Sequence, residues 1–142
     1  MSAKIVTCLV SQTVHNLVID SDVEYQLRSL ELKRRLRDRS LPDGSIELYL
    51  KCTNLTAIGW GKQQPFNKCT SLLCVDLSGC PKLESIPQMT FVECHHLASA
   101  VFGEHSNITS LGSGAFGQCY ALTSITLPNK LKVIEAGAFG EC

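Results

Sequence analysis

Residues 115–134 read AFGQCYALTSITLPNKLKVI, and the same order of apolar residues occurs upstream at a fixed spacing. Four of the five phenylalanines lie 25, 25 and 23 residues apart, and the cysteine three residues after each of these four keeps this spacing. These columns are Phe66, Phe91, Phe116 and Phe139, and Cys69, Cys94, Cys119 and Cys142. A fixed period of this length indicates that the chain is built from repeats, each of which packs on its neighbours.

Each repeat contains one segment that is typical of a strand. In Leu122–Leu127 the final apolar residues alternate with polar ones, as on a strand with one buried face, and Leu72–Leu77 and Leu97–Phe102 follow the same pattern. Further columns continue the period: Leu72, Leu97, Leu122; Val75, Ala100, Ile125; Leu77, Phe102, Leu127; Leu83, Ile108, Leu131; Ile86, Leu111, Ile134. The spacing of Phe116 and Cys119 suits one helical turn, with both side chains on one face.

The pattern A-F-x-x-C-x-x-L-x-x-I-x-L-P-x-x-L-x-x-I resembles the BspA-type leucine-rich repeat over roughly residues 45–142. This resemblance implies an α/β solenoid with one short parallel strand in each coil of 23–25 residues. We expect about four repeats, the last of them incomplete. Cys80 and Asn107 lie near the place where many leucine-rich repeats hold a residue that hydrogen-bonds neighbouring backbone.

Residues 1–44 differ in composition, and we interpret them as an N-terminal cap of one strand and one basic helix. Residues 14–19 suit the strand. Ser21 and Glu24 form a capping box, which predicts a helix over residues 22–39 that ends before the turn signal at 41–44. At the other end, the sequence stops within a repeat. We expect either a piece of a longer array or self-association through an uncapped C-terminal edge.

Composition limits the location and the class of protein. The 142 residues suit one domain, and 13 basic residues balance 13 acidic ones, so net charge favours neither nucleic acid nor membranes. We expect no membrane span, because no apolar run approaches the roughly 20 residues that a bilayer requires. No convincing signal peptide is visible, and four of the eight cysteines occupy one repeat position. An intracellular, cytoplasmic location is therefore expected.

Motifs that suggest chemistry have simpler interpretations. Gly112–Gly117 fits G-x-G-x-x-G but lacks the context of a long following helix, and a glycine-bearing turn is favoured. Cys94-His95-His96 lacks a second metal-ligand pair, and two surface histidines are favoured. Cys74 is expected to point outward as a surface thiol. We therefore expect no enzyme activity, catalytic residue, metal or cofactor.

Six basic residues crowd the predicted helix: Arg28, Lys33, Arg34, Arg35, Arg37 and Arg39. Such a cluster is typical of contact with nucleic acid, anionic lipid or an acidic partner. Basic residues also favour a helix C-terminus without any partner, and no aromatic residues are interleaved for base stacking. A solvated face of the cap is favoured over nucleic-acid binding, but the adaptor function stays open as an alternative.

The outward positions of parallel strands would align across one face, which we call the strand face. It comprises two columns: Tyr49, Asp76, Val101 and Thr126, and Glu47, Cys74, Ser99 and Ser124. Repeat proteins usually bind partners on such surfaces. We expect a non-catalytic scaffold that binds a protein partner through the strand face, and the alternative is an inert polar surface.

Overall fold

A computed structural model describes residues 4–9, 15–20, 44, 46–51, 53, 55–56, 58 and 66–142. Five strands form one sheet: β1 Lys4–Leu9, β2 His15–Asp20, β3 Ile46–Leu50, β4 Leu72–Asp76 and β6 Ser99–Val101. Strands β1 and β2 pair antiparallel, whereas the others pair parallel in the order β2-β3-β4-β6. Strands β3, β4 and β6 come from successive repeats, and β2 precedes the repeats in the chain.

A second parallel sheet runs along the repeats. It contains β5 Ser85–Ile86, β7 Ser110–Leu111 and β8 Val133–Ile134, in that order. Ile86 pairs with Leu111 and Leu111 with Ile134, so the sheet follows one of the apolar columns. Ile86 and Leu111 are fully buried, but Ile134 is 49% exposed because no described strand pairs with the other edge of β8.

Strand β3 confirms the predicted alternation. Ile46, Leu48 and Leu50 are buried, whereas Glu47 and Tyr49 are partly exposed. The register between β3 and β4 shifts by one residue between Ile46 and Glu47, as in a β-bulge. Beyond that bulge the apolar residues of both strands again face the core.

The core is organised by stacked phenylalanines. The rings of Phe66, Phe91, Phe116 and Phe139 follow one another with centroid separations of 5.4, 5.2 and 5.6 Å and interplanar angles of 11°, 13° and 6°. The first three are fully buried, and Phe102 meets Phe116 edge-on. Offset or edge contacts at such distances stabilise aromatic pairs beyond the effect of burial.

The turns around Phe91, Phe116 and Phe139 each contain two left-handed residues, and the described part of the turn at Phe66 contains one. One precedes the cysteine, and the other lies two positions before the phenylalanine. These residues are Lys68, Glu93, Gln118 and Glu141, and Met89, Gly114 and Gly137. The resulting turn directs backbone amides toward the next repeat. The N–H of Phe91 donates to the carbonyl of Ala115 at 2.8 Å, and the N–H of Phe116 donates to the carbonyl of Ala138 at 2.8 Å. These turns replace the predicted helical turn, and no residue of 66–142 is helical.

Three local predictions have different outcomes. The strand expected over 14–19 is confirmed as β2, whereas β1 was not predicted. The helix expected over 22–39 lies outside the described residues. The strand expected over 122–127 is wrong: these residues pair with no strand. The connection from Leu127 to Leu131 is two residues shorter than its counterparts, and Pro128 has no N–H for a ladder.

Candidate functional site

The cysteine column lies inside the repeats and ties neighbouring ones together. The thiol of Cys94 donates to the carbonyl of Phe66 at 3.1 Å, that of Cys119 to Phe91 at 3.3 Å, and that of Cys142 to Phe116 at 3.2 Å. Cys69, Cys94 and Cys119 are fully buried, as expected, whereas Cys142 is exposed. The column therefore satisfies backbone acceptors within a core.

The surroundings of these cysteines disfavour the reactive thiolate. A hydrogen bond with the Cys69 thiol, together with burial, raises the pKa of Cys94. Burial raises the pKa of Cys119 to about 12. Since the thiolate is the nucleophile and the metal ligand, both cysteines are suited to packing at neutral pH.

Cys80 and Asn107 make the backbone contacts expected from the resemblance. The Cys80 thiol donates to the carbonyl of Leu50 at 3.4 Å, and the Asn107 amide donates to that of Pro81 at 2.7 Å. Each hydrogen bond reaches the preceding repeat, so these two residues hold neighbouring repeats together in the loops that follow the strands.

The strand face is assembled in register for its first six members. Glu47 pairs with Cys74 and Cys74 with Ser99, while Tyr49 pairs with Asp76 and Asp76 with Val101. Val101 is 43% exposed, and the other five are partly exposed. Ser124 and Thr126 are exposed, but their segment is not paired with β6. The two predicted columns therefore exist as ladders over three strands, and their last members stand apart from the sheet.

Negative charge gathers at the first two strands of this face. The Tyr49 hydroxyl donates to Glu47 at 2.9 Å, and this hydrogen bond to the carboxylate raises the pKa of Tyr49 to about 12. Asp76 accepts the backbone N–H of Ser78 at 2.8 Å and its hydroxyl at 2.6 Å. Among the described residues no cation lies within ion-pair distance of either carboxylate. The groups that donate to these two carboxylates are neutral.

Cys74 lies between these carboxylates. Its pKa is raised because burial disfavours the thiolate, an effect that the hydrogen bond with Ser99 partly opposes. The side chain is partly exposed, as predicted. The thiol belongs to the surface of the ladder, and its environment does not activate it as a nucleophile.

Two shallow cavities open at the carboxyl end of the ladder. The first cavity, of about 310 Å³, lies between β3 and β4, and its lining includes Tyr49, Lys51, Asp76 and Ser78. The second cavity, of about 320 Å³, lies between β6 and the next repeat. Its lining includes Val101, Gly103, Glu104, Thr126, Leu127 and Pro128. All four members of the Tyr49 column thus line one cavity or the other.

The other candidate groups are dispersed. The ring of His95 stacks on Tyr120 at 4.9 Å, and Cys94 of the same tripeptide is buried in the core. In the described ranges no three histidine, cysteine or carboxylate side chains converge as a metal site would require. Gly112–Gly117 forms turns with Gly114 at φ 64°, and no helix follows. The basic cluster Arg28, Lys33, Arg34, Arg35, Arg37 and Arg39 lies outside the described residues.

The repeat geometry agrees with comparison against known families. Residues 46–142 match the model of the BspA type leucine rich repeat region, in six copies. The chain belongs to this family. No curated protein matches the chain. Parallel strands from successive repeats are the arrangement expected of leucine-rich repeats.

A solved structure has a similar fold. The crystal structure of the T. pallidum leucine rich repeat protein superposes with a TM-score of 0.60 at 22% identity. The match covers 97% of this chain and 64% of that one, so this BspA-type chain spans about two thirds of the length of the solved structure. Within the described residues no helix has the length and apolar character needed to cross a membrane.

Sequence reasoning missed the loop residues of the two cavities. Lys51 and Ser78 follow β3 and β4, and Leu127 and Pro128 follow the unpaired segment. Leu127 shares a column with Leu50, Leu77 and Phe102, which are buried, so the periodicity predicts a buried Leu127. It is 39% exposed instead. The two-residue shortening after Leu127 is the signal in the sequence that marks this difference.

Proposed function

We propose that this chain is a non-catalytic leucine-rich repeat scaffold that binds a protein partner through its strand face. Residues 45–142 would form the binding solenoid, and residues 1–44 would cap it. The observation that carries the proposal is the convergence of Tyr49, Asp76, Val101 and Thr126 on two neighbouring cavities. Ligand sites are generally concave, with a few polar groups in an apolar lining.

The rigidity of the scaffold supports this function. Tyr49 is held by Glu47, and Asp76 is held by the backbone and hydroxyl of Ser78. Side chains fixed before binding lose less conformational entropy when a partner docks. Tyr49 also combines an apolar ring with a polar tip, the composition that recurs in residues that dominate binding energy.

The test is capture of partners from a lysate of the source by the immobilised chain. The test variant combines Tyr49→Ala, Asp76→Lys and Val101→Asp, and circular dichroism checks its fold. We expect the native chain to retain a protein that this variant loses. A few residues usually dominate an interface at about 2 kcal/mol or more each, so loss of one such residue should lower retention at least tenfold.

A matched control variant distinguishes loss of the strand face from a general effect of changing surface residues. The control variant combines Tyr120→Ala, Glu93→Lys and Met89→Asp, which repeats the same kinds of change at turn positions away from the strand face. It should retain the partner as the native chain does. Loss in both variants, or retention by both, would contradict binding through the strand face.

The alternative is an adaptor for nucleic acid or an anionic surface, and it would use the basic segment 28–39. Six basic residues within twelve positions favour it. Such binding should weaken steeply with salt, because neutralised phosphates release counterions. A filter-binding titration with duplex DNA at two salt concentrations tests it, with Arg34→Ala, Arg35→Ala and Arg37→Ala as the variant.

Two further properties belong to the same proposal. We propose an intracellular, cytoplasmic location, which is supported by the buried cysteines that remain free thiols and donate to backbone carbonyls. We also propose self-association through the edge of β8, where Val133 and Ile134 are each 49% exposed. Light scattering of the native chain and of Val133→Lys would test the association.

A further inference from the structure

We propose that the unpaired edge of β6 accepts an extended segment of a partner protein as an added strand. The segment would enter the cleft between β6 and residues 122–127, where the second cavity lies. This inference rests on the proposed function, and it specifies the conformation in which the partner binds at one end of the strand face.

The repeat that follows β6 is attached to its neighbour on two sides and separated from it on the third. Strand β8 pairs with β7 in the second sheet, and Phe139 stacks on Phe116 at 5.6 Å. On the side of the strands, however, no backbone hydrogen bond in the described part of the chain joins residues 97–103 to residues 122–128. The two repeats therefore enclose a wedge-shaped cleft that opens beside β6.

The cleft exposes the backbone of β6. Strand β6 pairs with β4 along one edge, and no described strand pairs with its other edge. Ala100 and Phe102 line the second cavity although both belong to the core, so mainly their backbone reaches it. Unpaired N–H and C=O groups at a sheet edge are a template for a further strand, which proteins usually guard with a charge or a proline. The sequence of β6, Ser99–Val101, contains neither.

The side chains around the cleft favour an apolar segment. Val101 and Leu127 are 43% and 39% exposed, and Pro128 lies beside them in the lining. An added strand would place one row of side chains beside Val101 and the other row toward the cleft, because successive side chains alternate between faces. Cross-strand pairs of β-branched or aromatic residues stabilise such a sheet. The cavity of about 320 Å³ and the three residues of β6 limit the paired contact to about 10 Å of extended chain.

The experiment uses the purified full chain and a library of short acetylated peptides with threonine at alternate positions, which favours extended chains. We expect the bound pool to be enriched in Val, Ile, Tyr and Phe at the variable positions. The tightest peptides are then made with one backbone N-methyl group at each position in turn, and their affinities are measured by fluorescence anisotropy. Loss of an N–H that pairs with β6 should weaken binding about two- to tenfold at alternate positions, and methylation between them should cost less.

A variant of the chain tests the position of the site. Insertion of Gly-Ser after Pro128 restores the length that the connection has in the other repeats, so residues 122–127 should pair with β6 and close the cleft. Peptide affinity should fall at least tenfold, since several backbone hydrogen bonds are lost together. Hydrogen exchange of the amides in 122–127 reports the closure. Glu93→Lys, away from the strand face, should bind as the native chain does.

The outcomes distinguish this inference from the proposed function. Absence of any enriched peptide, or equal losses at every methylated position, would overturn strand addition, because side chains that only fill an apolar groove give no alternation. Undiminished binding to an insertion variant whose cleft is closed would overturn the assignment to β6. If a lysate partner still depends on Tyr49 and Asp76 in that case, the scaffold function stands and only the added strand is wrong.

Discussion

Replacement of adjacent rings in the phenylalanine stack should reveal a coupling that distant rings lack. Phe91 is fully buried and stacks on Phe66 at 5.4 Å and on Phe116 at 5.2 Å. Phe91→Leu keeps an apolar side chain but removes both ring contacts, each worth about 0.5–1.5 kcal/mol beyond burial. The free energy of unfolding should therefore fall by about 1–3 kcal/mol.

The pairwise part follows from a double-mutant cycle. Phe91→Leu and Phe116→Leu, alone and together, are unfolded in urea and followed by circular dichroism. The coupling energy should be about 0.5–1.5 kcal/mol, the contribution of one ring pair. Phe139 stacks on Phe116 rather than on Phe91, so a control cycle of Phe91 with Phe139 should be additive within about 0.5 kcal/mol. Equal coupling in both cycles would refute the idea that contact between neighbouring rings stabilises the stack.

Two further predictions concern the contacts between repeats. A Cβ added to Gly112 would overlap the backbone N of Gln88 and lie 2.7 Å from the carbonyl C of Pro87, so Gly112→Ala should destabilise the chain by about 1–3 kcal/mol in urea unfolding. Gly117→Ala, where the nearest atom is 3.3 Å away, should cost less than half as much, and equal losses would contradict the close approach. The second prediction concerns pH. Because burial raises the pKa of Cys119 from 9.0 to about 12, its contribution to stability is fully present below pH 9 and is lost as the pH rises toward 12. The stability advantage of the native chain over Cys119→Ala should shrink by at most about 1.4 kcal/mol per pH unit in that range. An advantage that stays constant to pH 11 would show that Cys119 titrates normally.

The periodic part of the fold could be predicted from the sequence because each apolar column has one physical role in every repeat. Phe91 and Phe116 recur at the same interval and stack, and Val75 and Ala100 recur and pair in register. The outward positions followed from the alternation along each strand, which places Asp76 beside Val101. Local pattern and global architecture agree in these repeats.

The departures arise where one repeat differs from the others. The segment 122–127 has the strand pattern, but pairing also requires a neighbour at the right distance, and the short connection after Leu127 changes that distance. The cavities depend on this spacing between repeats, which residue type alone does not reveal. Strand β1 was missed because its apolar run precedes the period and has no column to which it could be aligned. The predicted binding residues remain predictions.

The cysteine column also provides built-in probes of local opening. A thiol that is buried and donates to a carbonyl, such as Cys94, can be alkylated only after its surroundings separate. Its labelling rate, read residue by residue through mass spectrometry, therefore measures the free energy of that opening. Cys94 and Cys119 lie in successive repeats, and repeats interact mainly with their neighbours. Comparison of their rates would show whether the chain unravels stepwise from one edge or opens as a single cooperative unit.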